Sequence, residues 1–250
     1  MRLASPSIVA AMSQPHVCTL AALIAEYGLQ SKSVLEACHE IEEVLAAFSV
    51  DMEPPLGSMG LDDIRVLKRR RPADLAAIRT QDIIAGGETQ RTEFKASIFI
   101  NTQKRAQLPD LAIKECIDER LREKAAKEIA ALLNADGGAI LFGVTDDREI
   151  RGCKEDFEAF EKGGSPGDKA DLIIKQLVDK YFRNSDAVFY HLQVECVALG
   201  TDHVVVVSVA PREQLTFLKA TEPPLYVRMG TNAIPVPFDR IEEFYSLRRR

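Results

Sequence analysis

The sequence has no tryptophan and only five cysteines in 250 residues. The cysteines are odd in number and scattered, and none belongs to a C-x-x-C pair. A disulfide framework needs paired cysteines, and a cysteine zinc site needs closely spaced ones. His191, Cys196 and His203 lie on predicted strands at a spacing unsuited to zinc, so we interpret them as core or edge residues.

Long apolar runs are also missing. Runs such as residues 20–25 and 204–207 are far shorter than the roughly 18 residues that cross a bilayer. Serine, proline, glutamine and histidine interrupt residues 5–16, which excludes the apolar core of a signal peptide. We therefore expect a cytoplasmic protein with no membrane partner.

A phosphate-binding P-loop is missing too. Residues 163–169 have suitable residue types, but not the G-x-x-x-x-G-K-[ST] order that wraps a nucleotide phosphate. We interpret this stretch as a flexible loop before a helix. No ATP binding is expected.

Positive charge is scarce in the first 60 residues, which contain two basic residues against seven acidic ones. The whole chain carries 32 basic and 38 acidic residues, a net charge of −6. By itself this charge argues against a nucleic-acid partner, but the chain beyond residue 60 is nearly neutral. It also contains two basic runs, residues 68–71 and 248–250, which are either phosphate-binding or simply solvated segments.

Helical periodicity dominates the first 80 residues. Apolar spacing predicts a short helix over residues 20–27 that ends at Gly28, then a longer one over residues 34–48 with Ser33 as its N-cap. Two strands are predicted to follow, over residues 49–53 and 64–67. Helix, turn, helix and ribbon is the order of a winged helix.

The role of this winged-helix-like unit is open. Its second helix is acidic, with Glu36, Glu40, Glu42 and Glu43, whereas a DNA-reading helix meets phosphates. DNA reading is therefore less favoured than dimerisation or partner docking, and plain packing is a third interpretation.

The pattern changes after Gly87 to mixed strands and helices. We expect two parts: residues 1–80 form the small helical unit, and residues 81–250 form an α+β domain with a mixed sheet and flanking helices. In the second part we predict a long helix over residues 109–134, preceded by a loop over residues 101–110 near the substrate. Residues 71–87 are interpreted as the connection.

One strand of this second part carries an acid and a base on one face. Side chains alternate along a strand, so Glu93 and Lys95 project together while Phe94 points to the opposite side. A carboxylate can hold a divalent cation, and an ammonium can offset charge on a phosphate. An isolated Glu-x-Lys triplet is common by chance, and a surface salt bridge is its default interpretation.

Three further motifs make this triplet more specific. Together, in this order, they resemble the Schlafen AlbA_2 domain family over about residues 84–244. The residues that carry the resemblance are Glu88 with Glu93-Phe94-Lys95, then Asn134-x-x-Gly137-Gly138, Gly143-Val144-x-Asp146-Asp147 and Tyr226-x-Arg228-x-Gly230.

The resemblance implies a catalytic site. Animal Schlafen nucleases cut tRNA and rRNA with three acids, which correspond here to Glu88, Glu93 and Asp146. These acids would hold Mg²⁺ or Mn²⁺, and Lys95 would assist by stabilising the added negative charge. Asp147 is an alternative third ligand, because a shift of one residue exchanges it with Asp146.

Partners are expected as well. Basic residues near the motifs are candidate contacts to a nucleic-acid backbone, and each is equally typical of an ordinary surface; they are Arg91, Lys104, Arg105 and Arg228. The animal proteins join two related halves in one chain, whereas this sequence supplies one, so a homodimer is expected.

The resemblance therefore implies a metal-dependent endonuclease that hydrolyses phosphodiester bonds in structured RNA such as tRNA or rRNA, with RNA favoured over DNA. The alternative is a non-catalytic nucleic-acid-binding or regulatory module with a docking or dimerising N-terminal unit.

Overall fold

The computed structural model describes residues 3–57, 60–219, 221–222 and 224–248. The chain divides into two compact units, Met1–Leu75 and Ala76–Arg250. No helix within these described ranges is long and apolar enough to cross a membrane. Of the basic run at residues 248–250, Arg249 and Arg250 lie outside the described residues.

The first unit alternates short helices and strands. In chain order it contains α1 (Pro6–Ser13), β1 (His16–Thr19), α2 (Leu20–Glu26), α3 (Val34–Ala47), β2 (Val50–Glu53) and β3 (Ile64–Arg69). The strands form an antiparallel sheet in the order β1-β3-β2. This order of elements is winged-helix-like, as the sequence predicted, although α1 and β1 were not predicted.

Local signals explain why α2 and α3 form where the periodicity placed them. Gly28, just beyond α2, has φ +64°, a backbone conformation that glycine adopts without steric cost. Ser33 and Glu36 form a reciprocal capping box at the start of α3. The fully buried Arg65 on β3 donates to the carbonyls of Pro54 and Pro55, at 2.8 and 2.9 Å, and so holds the β2–β3 loop.

The second unit holds the larger sheet, and α4 carries the boundary between the units. Its elements are α4 (Pro72–Gly86), β4 (Thr92–Lys95), α5 (Thr102–Gln107), α6 (Glu119–Leu133), β5 (Gly138–Phe142), α7 (Lys154–Ala159), α8 (Pro166–Tyr181), α9 (Ser185–Phe189), β6 (Leu192–Leu199), β7 (Asp202–Val209), β8 (Tyr226–Met229), β9 (Asn232–Pro235) and α10 (Ile241–Arg248). Short 3₁₀ turns cover Ile113–Cys116 and Phe238–Arg240.

The main sheet is mixed, with the order β4-β5-β7-β6. Strand β4 runs parallel to β5, and the other pairs are antiparallel. Ile140 and Phe142 pack on one face against residues of α6 and α8, whereas Phe94 and Leu141 pack on the other face against Ile84 of α4. Strands β8 and β9 form a separate hairpin. The predicted α+β class is confirmed.

Three sequence predictions differ from the structure. Only the second part of the helix predicted over residues 109–134 forms, as α6. Ile117 pairs with Ile100 in a β-bridge, and the carboxylate of Asp118 then caps α6. A residue paired in a β-bridge cannot continue a helix, which explains the break. The predicted loop at residues 101–110 contains α5, and the predicted connection at residues 71–87 is mostly α4.

Candidate functional site

Glu93 lies on β4, the edge strand of the main sheet, and faces α6. Its side chain is 7% exposed, and both carboxylate oxygens bind cations. Oε1 accepts from the Lys95 amine, and Oε2 accepts from Nη2 of Arg228 at 2.7 Å. The same-face pairing of Glu93 and Lys95 therefore exists, with a buried arginine as a third member.

Arg228 lies on β8 and its side chain is fully buried. Nη1 donates to Oε2 of Glu128 at 2.6 Å, and Nη2 also donates to the carbonyls of Thr89 and Thr92, each at 3.2 Å. Nε has no partner among the described residues. The guanidinium thus joins β8 to β4 and α6, and has no exposed surface for a nucleic-acid phosphate.

Glu128 on α6 is a member of the site that sequence reasoning missed. Burial, followed by the charge of nearby Glu93, raises the pKa of Glu128 above its ordinary value. The sequence does contain a sign of its role. Glu128 interrupts, at helical spacing, an apolar stripe that includes Leu121, Ala125 and Leu132. An acid inside such a stripe requires a buried partner, which Arg228 provides.

The four side chains form a cluster of balanced charge, which we call the buried quartet: Glu93, Lys95, Glu128 and Arg228. Two carboxylates face two cations. Lys95 is the most accessible member, with 25% of its side chain exposed, and its ammonium donates to Glu93 and to the carbonyl of Phe94.

Glu88 performs a different task from Glu93. Its Oε1 accepts a hydrogen bond from the backbone N–H of Phe94 at 2.8 Å, while the rest of the residue is exposed. Because β4 is an edge strand, this bond satisfies a backbone donor that would otherwise face outward. In this structure Glu88 therefore caps a backbone N–H group at the free edge of β4.

Asp146 and Asp147 lie on an exposed turn after β5. The turn is closed by the bridge between Val144 and Ile150 and by the N–H of Thr145, which donates to the carbonyl of Glu149 at 3.0 Å. Because β4 and β5 are parallel, this turn follows the same sheet end as Lys95.

A divalent metal does not fit these acids as they stand. Within the part of the chain that the structure describes, no group of three or more His, Cys, Asp or Glu side chains could hold an ion. Glu93 has both oxygens bound to cations, and one oxygen of Glu88 is bound to the backbone. A metal needs free carboxylate oxygens, so Glu88, Glu93 and Asp146 do not form a ready ligand set.

The Asn-x-x-Gly-Gly motif is structural. Asn134 is buried; its Oδ1 accepts from the N–H of Thr216, and its Nδ2 donates to the carbonyls of Thr216 and Tyr226, all within 2.9 Å. Gly138 has φ +152°, and a Cβ there would overlap the carbonyl of Arg91. The motif therefore ties the α6–β5 turn to β8 and to the start of β4.

The remaining predicted nucleic-acid contacts differ in availability. Arg91 is exposed, and its guanidinium has no partner among the residues described. The Lys104 amine donates to the carbonyl of Glu115 at 2.6 Å. Arg105 pairs with Glu155 and donates to two backbone carbonyls, so it holds its own loop. Among these three, Arg91 is the free cation.

The segment after Lys95 is held by a buried carboxylate. Oδ1 of Asp156 accepts from the hydroxyl of Ser97 and from the N–H groups of Ile98 and Phe99, at 2.8 to 3.1 Å. Burial raises the pKa of Asp156 to about 6, although these hydrogen bonds act in the opposite direction. Asp156 thereby positions the chain that leads from Lys95 to α5.

Comparison with known proteins gives one family. The family model described as Schlafen, AlbA_2 matches residues 88–237, more than half of the chain. The match covers all four motifs, three of which contribute to the buried quartet or its supports. Membership of this family points to a nucleic-acid-related function.

A solved structure also resembles the chain. It is the crystal structure of the DIP2311 protein from Corynebacterium diphtheriae, which is 19% identical, with a TM-score of 0.45. The alignment covers 70% of this chain and 31% of that one, so the chain spans about a third of that protein's length. No curated protein matches the chain.

Proposed function

The chain belongs to the Schlafen AlbA_2 domain family, and on that premise we propose that it binds nucleic acid along β4, through Lys95 at the end of the strand and Arg91 just before its start. The observation that supports this most is the buried quartet, which holds Lys95 at the surface while Arg228 and Glu128 stay inside. Arg91 lies on the turn whose carbonyls contact the same guanidinium.

The electrostatics suit a phosphate backbone. Arg228 takes one oxygen of Glu93 and so reduces the negative charge that Lys95 must balance. A phosphate that approaches Lys95 therefore meets an ammonium whose partner, the Glu93 carboxylate, is already partly neutralised by Arg228. Arg91 adds a second cation with a free guanidinium. We propose structured RNA as the ligand, in line with the family's nucleases.

The test is equilibrium binding of the full chain to a labelled RNA stem-loop at several salt concentrations. Lys95→Gln and Arg91→Gln are each expected to weaken binding roughly 5- to 10-fold, and to lower the slope of log affinity against log salt by about 1. Lys162→Gln and Arg183→Gln are matched controls, since both side chains are exposed and lack a partner among the described residues. Equal effects of all four variants would argue against the proposed surface.

A second candidate is metal-dependent phosphodiester hydrolysis with Mg²⁺ or Mn²⁺, in which Glu88, Glu93 and Asp146 act as ligands and Lys95 assists. One observation favours it: because β4 and β5 are parallel, the turn that carries Asp146 follows the same sheet end as Lys95. Such a site would require Glu93 to leave its present partners.

A cleavage assay separates the two candidates. The full chain is incubated with tRNA in Mn²⁺ and in EDTA, beside Glu93→Gln. Cleavage that is lost in EDTA and in the variant would support the nuclease. Binding without cleavage in any metal would support a non-catalytic module.

We also propose that the protein acts as a homodimer, because a single AlbA_2 region offers only half of the two-lobed surface of the animal proteins. Light scattering of the purified chain tests this. A mass near twice 27.7 kDa is the expected result. A monomeric mass at micromolar concentration would contradict it.

A further inference from the structure

A groove of about 580 Å³ lies between α5 and the first turns of α6, apart from the buried quartet. Its lining residues are Leu121 and six polar or charged residues: Asn101, Thr102, Gln103, Asp118, Arg120 and Lys124. No aromatic side chain lines it. Because single-stranded bases bind mainly by stacking on aromatic rings, this groove does not suit base recognition.

The charge of the groove comes from Lys124. Arg120 is paired with Asp118 through three donors, its backbone N–H, Nε and Nη2, at 2.8 to 3.0 Å. These contacts hold the pKa of Asp118 down at about 2, so the pair stays ionised and neutral overall. Lys124 is exposed, and its amine has no partner within the described ranges.

The groove and the buried quartet share helix α6. Lys124 precedes Glu128 by four residues, so the two side chains lie on the same helix face, about 6 Å apart along the axis. Glu128 bonds to Arg228, which bonds to Glu93 beside Lys95. Lys124 therefore lies about one helical turn along α6 from Glu128, a member of the quartet that also contains Lys95.

The uncharged groups of the groove match a ribose. The side-chain amide of Asn101 already has protein partners, since it accepts from the N–H of Lys104 and donates to Asp118. Thr102 and Gln103 have no side-chain partner among the described residues. A hydroxyl and an amide can donate to or accept from a 2′-hydroxyl, the group by which proteins distinguish RNA from DNA.

We propose that this groove holds the sugar-phosphate backbone of an RNA strand that continues from Lys95. Lys124 contacts a phosphate, and Thr102 and Gln103 contact ribose 2′-hydroxyls. The inference rests on the proposed nucleic-acid binding and deepens it, because it assigns a second contact surface and the sugar type of the ligand.

The experiment compares a labelled RNA stem-loop with DNA of the same sequence, using the full chain at several salt concentrations. Lys124→Gln should weaken binding to both roughly 5- to 10-fold and lower the salt slope by about 1. Lys162→Gln, which removes the same charge from the loop between α7 and α8, should leave both unchanged. Gln103→Ala, alone and with Thr102→Ala, should weaken RNA binding roughly 3-fold or more and spare DNA.

The outcomes separate this inference from the proposed function. If Lys124→Gln matches Lys162→Gln while Lys95→Gln still weakens binding, the groove proposal is overturned and binding at β4 stands. If the Thr102 and Gln103 variants weaken RNA and DNA equally, the assignment to ribose is overturned. If the wild-type chain binds neither nucleic acid, the proposed function itself fails. Circular dichroism of each variant checks that the fold is intact.

Discussion

At the scale of single residues, the buried quartet is the feature on which the candidate site depends. Arg228 is enclosed by carboxylates and carbonyls, and its two terminal nitrogens serve different elements. Breaking such a cluster on one side leaves uncompensated buried charge, which costs far more than loss of a surface ion pair.

Arg228→Met is therefore expected to lower the free energy of unfolding by about 3–5 kcal/mol, because Glu128 would remain buried without its cation and Glu93 would keep only Lys95. Urea unfolding followed by circular dichroism measures this. Arg183→Met is the control, since that side chain is exposed. A loss below about 1 kcal/mol in Arg228→Met would show that the quartet does not hold the elements together.

Asp156 gives a prediction for pH. Its pKa is raised to about 6 by burial, against about 3.9 in an unfolded chain. The folded state therefore binds the proton more tightly, and the contribution of Asp156 to the free energy of unfolding falls as pH rises from about 4 to 6. Asp156→Asn should remove this slope relative to the wild type. Parallel stability profiles for the two proteins between pH 4 and 7 would contradict it.

At the scale of elements, the family motifs are mainly devices for joining secondary structure. Asn134 connects the end of α6 to β8, and Gly138 lets β5 start directly against the backbone of Arg91. Neither residue carries reactive chemistry. Their effect is to hold β4, α6 and β8 close enough for the quartet to form.

Gly138→Ala should destabilise the protein by about 2–4 kcal/mol, because a methyl group there overlaps a carbonyl oxygen and the backbone is strained for any other residue. Thermal and urea unfolding measure the change. Gly163→Ala is the matched control, since a Cβ at Gly163 meets nothing within 4 Å. Similar stability of the two variants would remove the packing role assigned to Gly138.

Elements with both periodicity and a cap were predictable from the sequence. α3 has an apolar stripe and a Ser33 cap, and α8 has the same combination with Ser165. β1 has neither signal in its four residues. It is a strand because it pairs with β3, which is distant in the sequence. The break before α6 likewise depends on a bridge to Ile100, a contact that periodicity does not encode.

The site was predictable in part. Glu93 and Lys95 are two residues apart, so strand alternation was enough to place them together. Arg228 and Glu128 are separated by 100 residues, and Arg228 and Glu93 by 135, so their pairing follows only from the tertiary fold. That pairing is also why Arg228, a predicted phosphate contact, is enclosed.

At the scale of the whole molecule, the net charge of −6 conceals an uneven distribution of charge along the chain. Most of the excess acid lies in the first 60 residues, including the exposed face of α3 with Glu36, Glu42 and Glu43. Such a face repels phosphates, so nucleic-acid binding at α3 is not expected.

The acidic face of α3 gives a prediction for the effect of reversing its charge. Glu42→Lys with Glu43→Lys should change RNA affinity less than 3-fold at 150 mM salt, where surface charges are screened beyond about 8 Å. The same binding assay measures it. A large gain in affinity would place α3 next to the bound nucleic acid.

The central claim is that Lys95, supported by the buried quartet, binds a nucleic-acid backbone without a metal. The most direct measurement is the affinity of the wild-type chain and of Lys95→Gln for an RNA stem-loop in EDTA. The predicted result is saturable wild-type binding that the variant weakens roughly 5- to 10-fold. Wild-type binding that vanishes in EDTA, or that Lys95→Gln leaves unchanged, would contradict the claim.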